Sequence, residues 1–291
     1  MQIFDKKIKE ILTDNLKRLE TYFNSDVVFY FGEIHPSYEK LFRDFIESLK
    51  VDEEEDPRDR LTIILNTPGG SAETVEKMVE IIRYHYKEVY FVVPDYAMSA
   101  GTIFCMSGDK IFMDYSSSLG PIDPQVFNGT TYVPALGYLD KVNELLAKAQ
   151  AGTISQAEFL ILQNQDLAML RSYEQAKELT ITLLKKWLVD FKFQDWECHR
   201  TDPEKIGNMV TQDEKEMRAQ EIADKLGDNK IWHSHGRMIN ITTLKRILRL
   251  EIEDYSENEN LRPLIRNYND FLTEFIARNG FKVFLHNRNY F

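Results

Sequence analysis

Two apolar runs constrain this chain more than anything else in it. Residues 61–65 (Leu-Thr-Ile-Ile-Leu) and 89–93 (Val-Tyr-Phe-Val-Val) lack the apolar–polar alternation of a strand with one face in water. Strands that are apolar on both sides are covered on both sides, as in a parallel sheet packed between helices. Each run ends in turn chemistry: Asn66-Thr67-Pro68-Gly69-Gly70 after the first, Pro94-Asp95 after the second. A helical pattern follows each turn, one led by Ser71, Thr74 and Val75 to about Tyr86, the other beginning near Met98. Residues 111–113 supply a third strand, residues 27–32 an earlier one, and residues 38–49 another helical pattern. Strand, turn and helix repeated in this order predict a parallel α/β core with right-handed crossovers.

The ends of the chain read differently. Residues 1–24 space Ile8, Ile11, Leu12, Leu16, Leu19 and Phe23 as an amphipathic helix that docks on the core, meets another subunit or lies against a membrane. The core spans residues 25–135, and residues 136–291 read as mostly helical. Ser155-Gln-Ala-Glu158 is a capping box that predicts one long helix through Leu167, Leu170, Leu183, Leu184, Trp187 and Leu188. Thr211-Gln-Asp-Glu214 opens another that closes at Gly227, and a last amphipathic helix from Leu261 stops at Gly280. The acidic run at residues 52–57 reads as a solvated surface loop.

Composition removes several classes of function. With 43% apolar residues in 291 there is ample core, so disorder is excluded. The 36 basic residues against 47 acidic ones leave a net charge of −11, which argues against a nucleic-acid partner. Cys105 and Cys198 make no disulfide framework, and Cys105 reads as a small buried hydrophobe. Charges crowd the first twenty residues, leaving no apolar stretch for a signal peptide. Residues 89–108 are long enough to span a bilayer, but Pro94-Asp95 splits them. A soluble, cytoplasmic protein is expected.

In parallel α/β units, functional atoms gather where strands end and helices begin. Gly69 and Gly70 permit positive φ and close approach, and main-chain N–H groups in such a turn converge on developing negative charge. Ala97-Met98-Ser99-Ala100-Gly101-Thr102 sets a serine hydroxyl at a helix start among small residues. Alone, the first motif is an ordinary turn and the second an ordinary cap. Together, on successive strand–helix junctions, they point to a site.

The segments 65–71, 97–101 and 118–125 (Ser118-Leu119-Gly120-Pro121-Ile122-Asp123-Pro124-Gln125) resemble those of Clp-fold serine peptidases, which include the Clp protease proteolytic subunit and signal peptide peptidase A. The resemblance is greatest to the serine dehydrogenase proteinases, and it continues through Leu167-Ala168 and Trp187-Leu188 to Ser234-His235-Gly236-Arg237. It implies the ClpP/crotonase-like spiral fold, a peptide or protein substrate, and Ser99 as nucleophile. It also implies an oxyanion hole from the N–H of Gly69 or Gly70 with that of Ala100. The Clp histidine, about twenty-five residues past the serine, is missing: no histidine lies between His85 and His199. Signal peptide peptidases use a lysine instead, and Lys141 fits their spacing, with Lys148 one heptad on as the alternative. Such a lysine must be desolvated to act while neutral. Asp123, near the place of the absent histidine, either orients a lysine or substrate amide or caps a turn.

His233 and His235 have a metal-like spacing without a companion ligand, so loop or interface contacts are expected of them and of Arg237, and no metal. No Gly-x-Gly-x-x-Gly is present, and no cofactor is expected. The resemblance further implies a homo-oligomer with its sites near subunit contacts, which leaves open a base supplied by a neighbouring subunit, while nothing identifies an ATPase partner. Two rival readings stand beside the peptidase: a catalytically inactive scaffold, and a crotonase-like acyl-CoA enzyme, which Ser99 disfavours.

Overall fold

In a computed structural model the described residues are 3–50, 58–127, 130, 132–199 and 204–290, so the acidic run at 52–57 lies outside them. The elements in chain order are α1 (Ile3–Phe23), β1 (Asp26–Gly32), α2 (Glu39–Glu47), β2 (Arg60–Asn66), α3 (Ala72–His85), β3 (Glu88–Val93), β4 (Tyr96–Ala97), α4 (Ala100–Met106), β5 (Lys110–Met113), β6 (Ser118–Leu119), β7 (Gln125–Phe127), β8 (Tyr132–Pro134), α5 (Ala135–Gln150), α6 (Gln156–Gln163), α7 (Leu167–Trp187), α8 (Gln212–Gly227), α9 (Asn229–Trp232), α10 (Ile241–Thr243), β9 (Glu253–Asp254), α11 (Leu261–Asn279) and β10 (Val283–His286).

The two apolar runs become β2 and β3, the central pair of a six-stranded sheet ordered β10-β1-β2-β3-β5-β9. Only β10 runs antiparallel to its neighbour. The pleat sends Leu61, Ile63 and Leu65 into one core with residues of α2, α3, α4, α7 and α8. Ile64 and Val92 go into a second core with Val27, Phe29, α1 and α11. Thr62 sits among them because its hydroxyl is 2.7 Å from that of Ser25. Helices thus cover both faces, as the runs required. α1 docks on this second core through Leu12, Leu16 and Leu19.

The second half departs from expectation at three places, one of them the two-residue strand β9, which joins the sheet beside β5. The long helix expected after Ser155 is two helices, because Asp166 turns its carboxylate onto the N–H groups of Ala168 and Met169 and starts a new one. The chain also returns to the sheet at its far end: β10 pairs with β1, with Phe29 opposite His286.

A smaller layer lies across the strand ends. β4 pairs with β6, Ala97 opposite Leu119, and isolated bridges extend the pairing from Thr67 to Ala97 and from Leu119 to Ile239. Among the described residues no helix is long and apolar enough to cross a membrane.

Candidate active site

The small layer brings the two turns together. Thr67 N–H donates to the Tyr96 carbonyl at 3.1 Å, and Met98 N–H donates to the Thr67 carbonyl at 3.0 Å. Gly69 has φ +108°, and a Cβ there would lie 2.8 Å from both the Ser99 Cβ and the Met98 carbonyl oxygen. Gly70 has φ +143°, and its Cβ would be 2.0 Å from the Ile34 carbonyl oxygen. Both positions therefore demand glycine, for backbone conformation and for space. Ile34 N–H donates to the Gly69 carbonyl and Ser71 N–H to the Ile34 carbonyl, so the Gly70 N–H points to the other side of this bridge. Gly69 N–H is occupied, donating to Thr67 Oγ1 at 3.1 Å. Among the described residues the N–H groups of Gly70 and Ala100 donate to nothing. Of the two glycines, then, Gly70 offers the open donor.

Ser99 stands between β4 and α4 with φ +53° and ψ −118°. Few non-glycine residues adopt this conformation, which costs about 1–3 kcal/mol and persists only when its surroundings enforce it. A sharp strand-to-helix turn of this kind lifts a serine hydroxyl clear of the backbone. The Ser99 carbonyl accepts from Thr102 and Ile103, while its hydroxyl makes no bond among the described residues. Thr102 fastens the turn by accepting the Gly120 N–H and donating to the Ala97 carbonyl, both at 2.9 Å. Gly120 in turn packs its backbone on Met98, where a Cβ would meet Met98 Cα at 3.3 Å.

Three residues past Gly120 lies a polar pair. An isolated antiparallel bridge sets Leu119 opposite Ile239, and four residues from each the side chains of Asp123 and His235 meet. His235 Nδ1 lies 2.9 Å from Asp123 Oδ1, and Gln125 Nε2 donates to Asp123 Oδ2 at 3.0 Å. The Asp123 side chain is only 3% exposed. An ionised carboxylate only accepts, so toward one Nδ1 is the donor and Nε2 is left as the acceptor. His233 is exposed in a left-handed conformation that ends α9, and Arg237 is exposed with its N–H on the Ser234 carbonyl.

The family model of ClpP-like SDH-type serine proteinases matches residues 23–201, more than half of the chain. The chain belongs to that family. Two uncharacterized proteins of Methanocaldococcus jannaschii are similar to it, one 32% identical over 147 residues and the other 31% identical over 83. These stretches are 46% and 28% of this chain, which spans half the length of the first relative and 27% of the second. Among solved structures, two mutants of the 1510-N membrane-bound stomatin-specific protease are similar at TM-scores of 0.45, with 15% and 16% identity. The first is a serine-to-alanine mutant, with 80% of each chain covered. The second is a lysine-to-alanine mutant in complex with a substrate peptide, with 80% of this chain and 76% of that one covered.

The lysines expected to serve as base, Lys141 and Lys148, lie in an ion-pair network on α5. Lys141 is 58% exposed and holds Glu144 at 2.9 Å. Lys148 bridges Glu158 at 2.7 Å and Glu144 at 3.1 Å, and these two carboxylates raise its pKa. Neither lysine has the desolvation a neutral amine base needs. Among the described residues no three His, Cys, Asp or Glu side chains gather as a metal site. The sequence motifs marked Asp123 but left its partner 112 residues away unpaired with it. The one signal was a histidine inside the Ser-His-Gly-Arg segment.

Proposed function

We propose that the protein is a serine endopeptidase that cuts peptide bonds through an acyl-enzyme on Ser99. The observation that carries this is the meeting of the two turns: a serine on strained backbone, its hydroxyl unbonded among the described residues, with its Cβ against Gly69 and open N–H groups on the adjoining Gly70 and Ala100. Ser99 Oγ attacks the substrate carbonyl, and the N–H groups of Gly70 and Ala100 receive the oxyanion. His235 Nε2 takes the serine proton, and Asp123 holds the ring and stabilises the imidazolium. The imidazolium then protonates the leaving amine, and water, deprotonated by the same ring, releases the acyl group. His235 is favoured over Lys141 and Lys148 by its bond to a buried carboxylate four residues past the end of β6, the strand paired with β4. A crotonase-like enzyme would use the paired N–H groups but has no need of Ser99.

The protein is further proposed to be cytoplasmic and homo-oligomeric, the latter supported by the exposed apolar helix α6, none of whose residues is buried. Fluorophosphonate labelling read by intact mass, across roughly pH 6 to 9, tests the mechanism. Labelling lost in Ser99→Ala and His235→Gln but kept in Lys141→Ala supports it. Loss in Lys141→Ala instead returns the base to a lysine, brought by a second copy. A wild type that never labels favours the inactive scaffold.

A further inference from the structure

One residue of α11 touches both junctions of the site. Asn66 ends β2, next to the turn that carries Gly69 and Gly70, and its Nδ2 donates to Asn269 Oδ1 at 2.6 Å. Asn269 Nδ2 donates to Asp95 Oδ2 at 2.8 Å, and Asp95 opens the segment that leads through β4 to Ser99. Asn66 and Asn269 are both buried. Asp95 is gripped from the next turn of α11 as well, where Arg266 Nη1 donates to its Oδ1 at 3.1 Å. Its carbonyl accepts the Ser118 N–H at 2.9 Å, at the start of the segment that carries Asp123. Arg266 is anchored in turn on Asp114, past the end of β5, at 2.8 Å.

We propose that Asn269 is a positioning residue that fixes the oxyanion turn and the nucleophile turn relative to each other. The proposal rests on the peptidase reading of Ser99 and extends it to a helix beyond the family match at residues 23–201. The bridge needs an acceptor toward Asn66 and a donor toward Asp95, and only a side-chain amide of this length offers both. An aspartate here would keep the first bond and set two carboxylates against each other at the second. The turns are already joined through the backbone of Thr67, Tyr96 and Met98, so the fold does not depend on this amide. What it governs is the fine placement of the Gly70 N–H relative to Ser99. Misplacement on the scale of an ångström in such a constellation costs up to about a hundredfold in rate.

The test compares wild type, Asn269→Asp, Asn269→Ala and the double variant Asp95→Asn/Asn269→Asp. In the double variant the amide and the carboxylate exchange places, so both bonds re-form with one reversed and the net charge is unchanged. Fluorophosphonate acylation rate, peptide-cleavage kcat and KM, and Tm are measured on each. The expected result is that Asn269→Asp and Asn269→Ala lower the acylation rate and kcat about 10- to 100-fold. KM stays near wild type, Tm falls by no more than a few degrees in Asn269→Ala and further in Asn269→Asp, where a buried carboxylate faces Asp95, and the double variant recovers most of the rate and of the Tm. Unchanged acylation in both single variants, a double variant no faster than Asn269→Asp, or a rate loss in Asn269→Ala matched by a collapse in its Tm overturns the proposal alone. A wild type unlabelled at Ser99 overturns the peptidase reading, and this proposal with it.

Discussion

Ser99 is held where the backbone is uncomfortable, and relief of that strain is measurable. Ser99→Gly removes the side-chain penalty at φ +53° along with the proposed nucleophile. It is expected to abolish labelling while stabilising the fold by about 1 kcal/mol in urea titration, net of the entropy glycine adds to the unfolded chain. A variant less stable than wild type would show that the turn is not strained. Gly69→Ala is expected to do the opposite at the same spot. Its Cβ meets the Met98 carbonyl at 2.8 Å in a backbone conformation alanine resists, so activity is lost with about 2 kcal/mol or more of stability. Gly137→Ala is the control: nothing lies within 4 Å of a Cβ there, in the first turn of α5, and a gain of up to about 0.5 kcal/mol is expected. These positions were legible in the sequence because turn chemistry is local: two glycines after a strand, and a small-residue segment around a serine, announce themselves. The Asp123–His235 pair was not legible. Its members lie 112 residues apart and meet beside an isolated bridge between Leu119 and Ile239 that no local pattern encodes.

At the scale of elements, strand periodicity gave the core, and burial on both faces made β2 and β3 unmistakable. Helix caps were read correctly at Thr211 and Gly280, but the break between α6 and α7 hid inside a continuous helical pattern. β10 escaped because four residues after a glycine carry little signal on their own, and its partner β1 lies at the other end of the chain. That strand carries a pH liability. His286 is buried, with Nδ1 2.6 Å from the Tyr268 hydroxyl, and burial, then Lys9, push its pKa down to about 4. The unfolded chain binds this proton near the ordinary imidazole range and the folded chain does not, so stability is full above about pH 6.5 and falls as pH drops toward 4. The loss attributable to His286 is about 3 kcal/mol. Urea unfolding of wild type and His286→Gln between these pH values checks it. The glutamine variant still offers Tyr268 an acceptor and is expected to show a shallower decline. Equal slopes would sink the assignment.

At the scale of the molecule, α6 is the element least explained by a single copy. Eight residues make a marginal helix in water, and Phe159, Leu160 and Ile161 are 51%, 52% and 55% exposed. Contact between copies would cover them. Phe159→Glu with Ile161→Glu is expected to lower the mass measured by sedimentation without loss of helicity, and a mass unchanged from that of an oligomeric wild type would place the contact elsewhere. The distribution of the site along the chain has a consequence in time. Ser99 is synthesised 136 residues before His235, and Asn269 comes later still. At ribosomal speeds that interval is on the order of ten seconds. On the proposed mechanism, the emerging chain holds throughout it a serine with neither its proton acceptor nor the amide that aligns its turns. Translation order would then keep a half-made site from cutting the chain or its neighbours on the polysome.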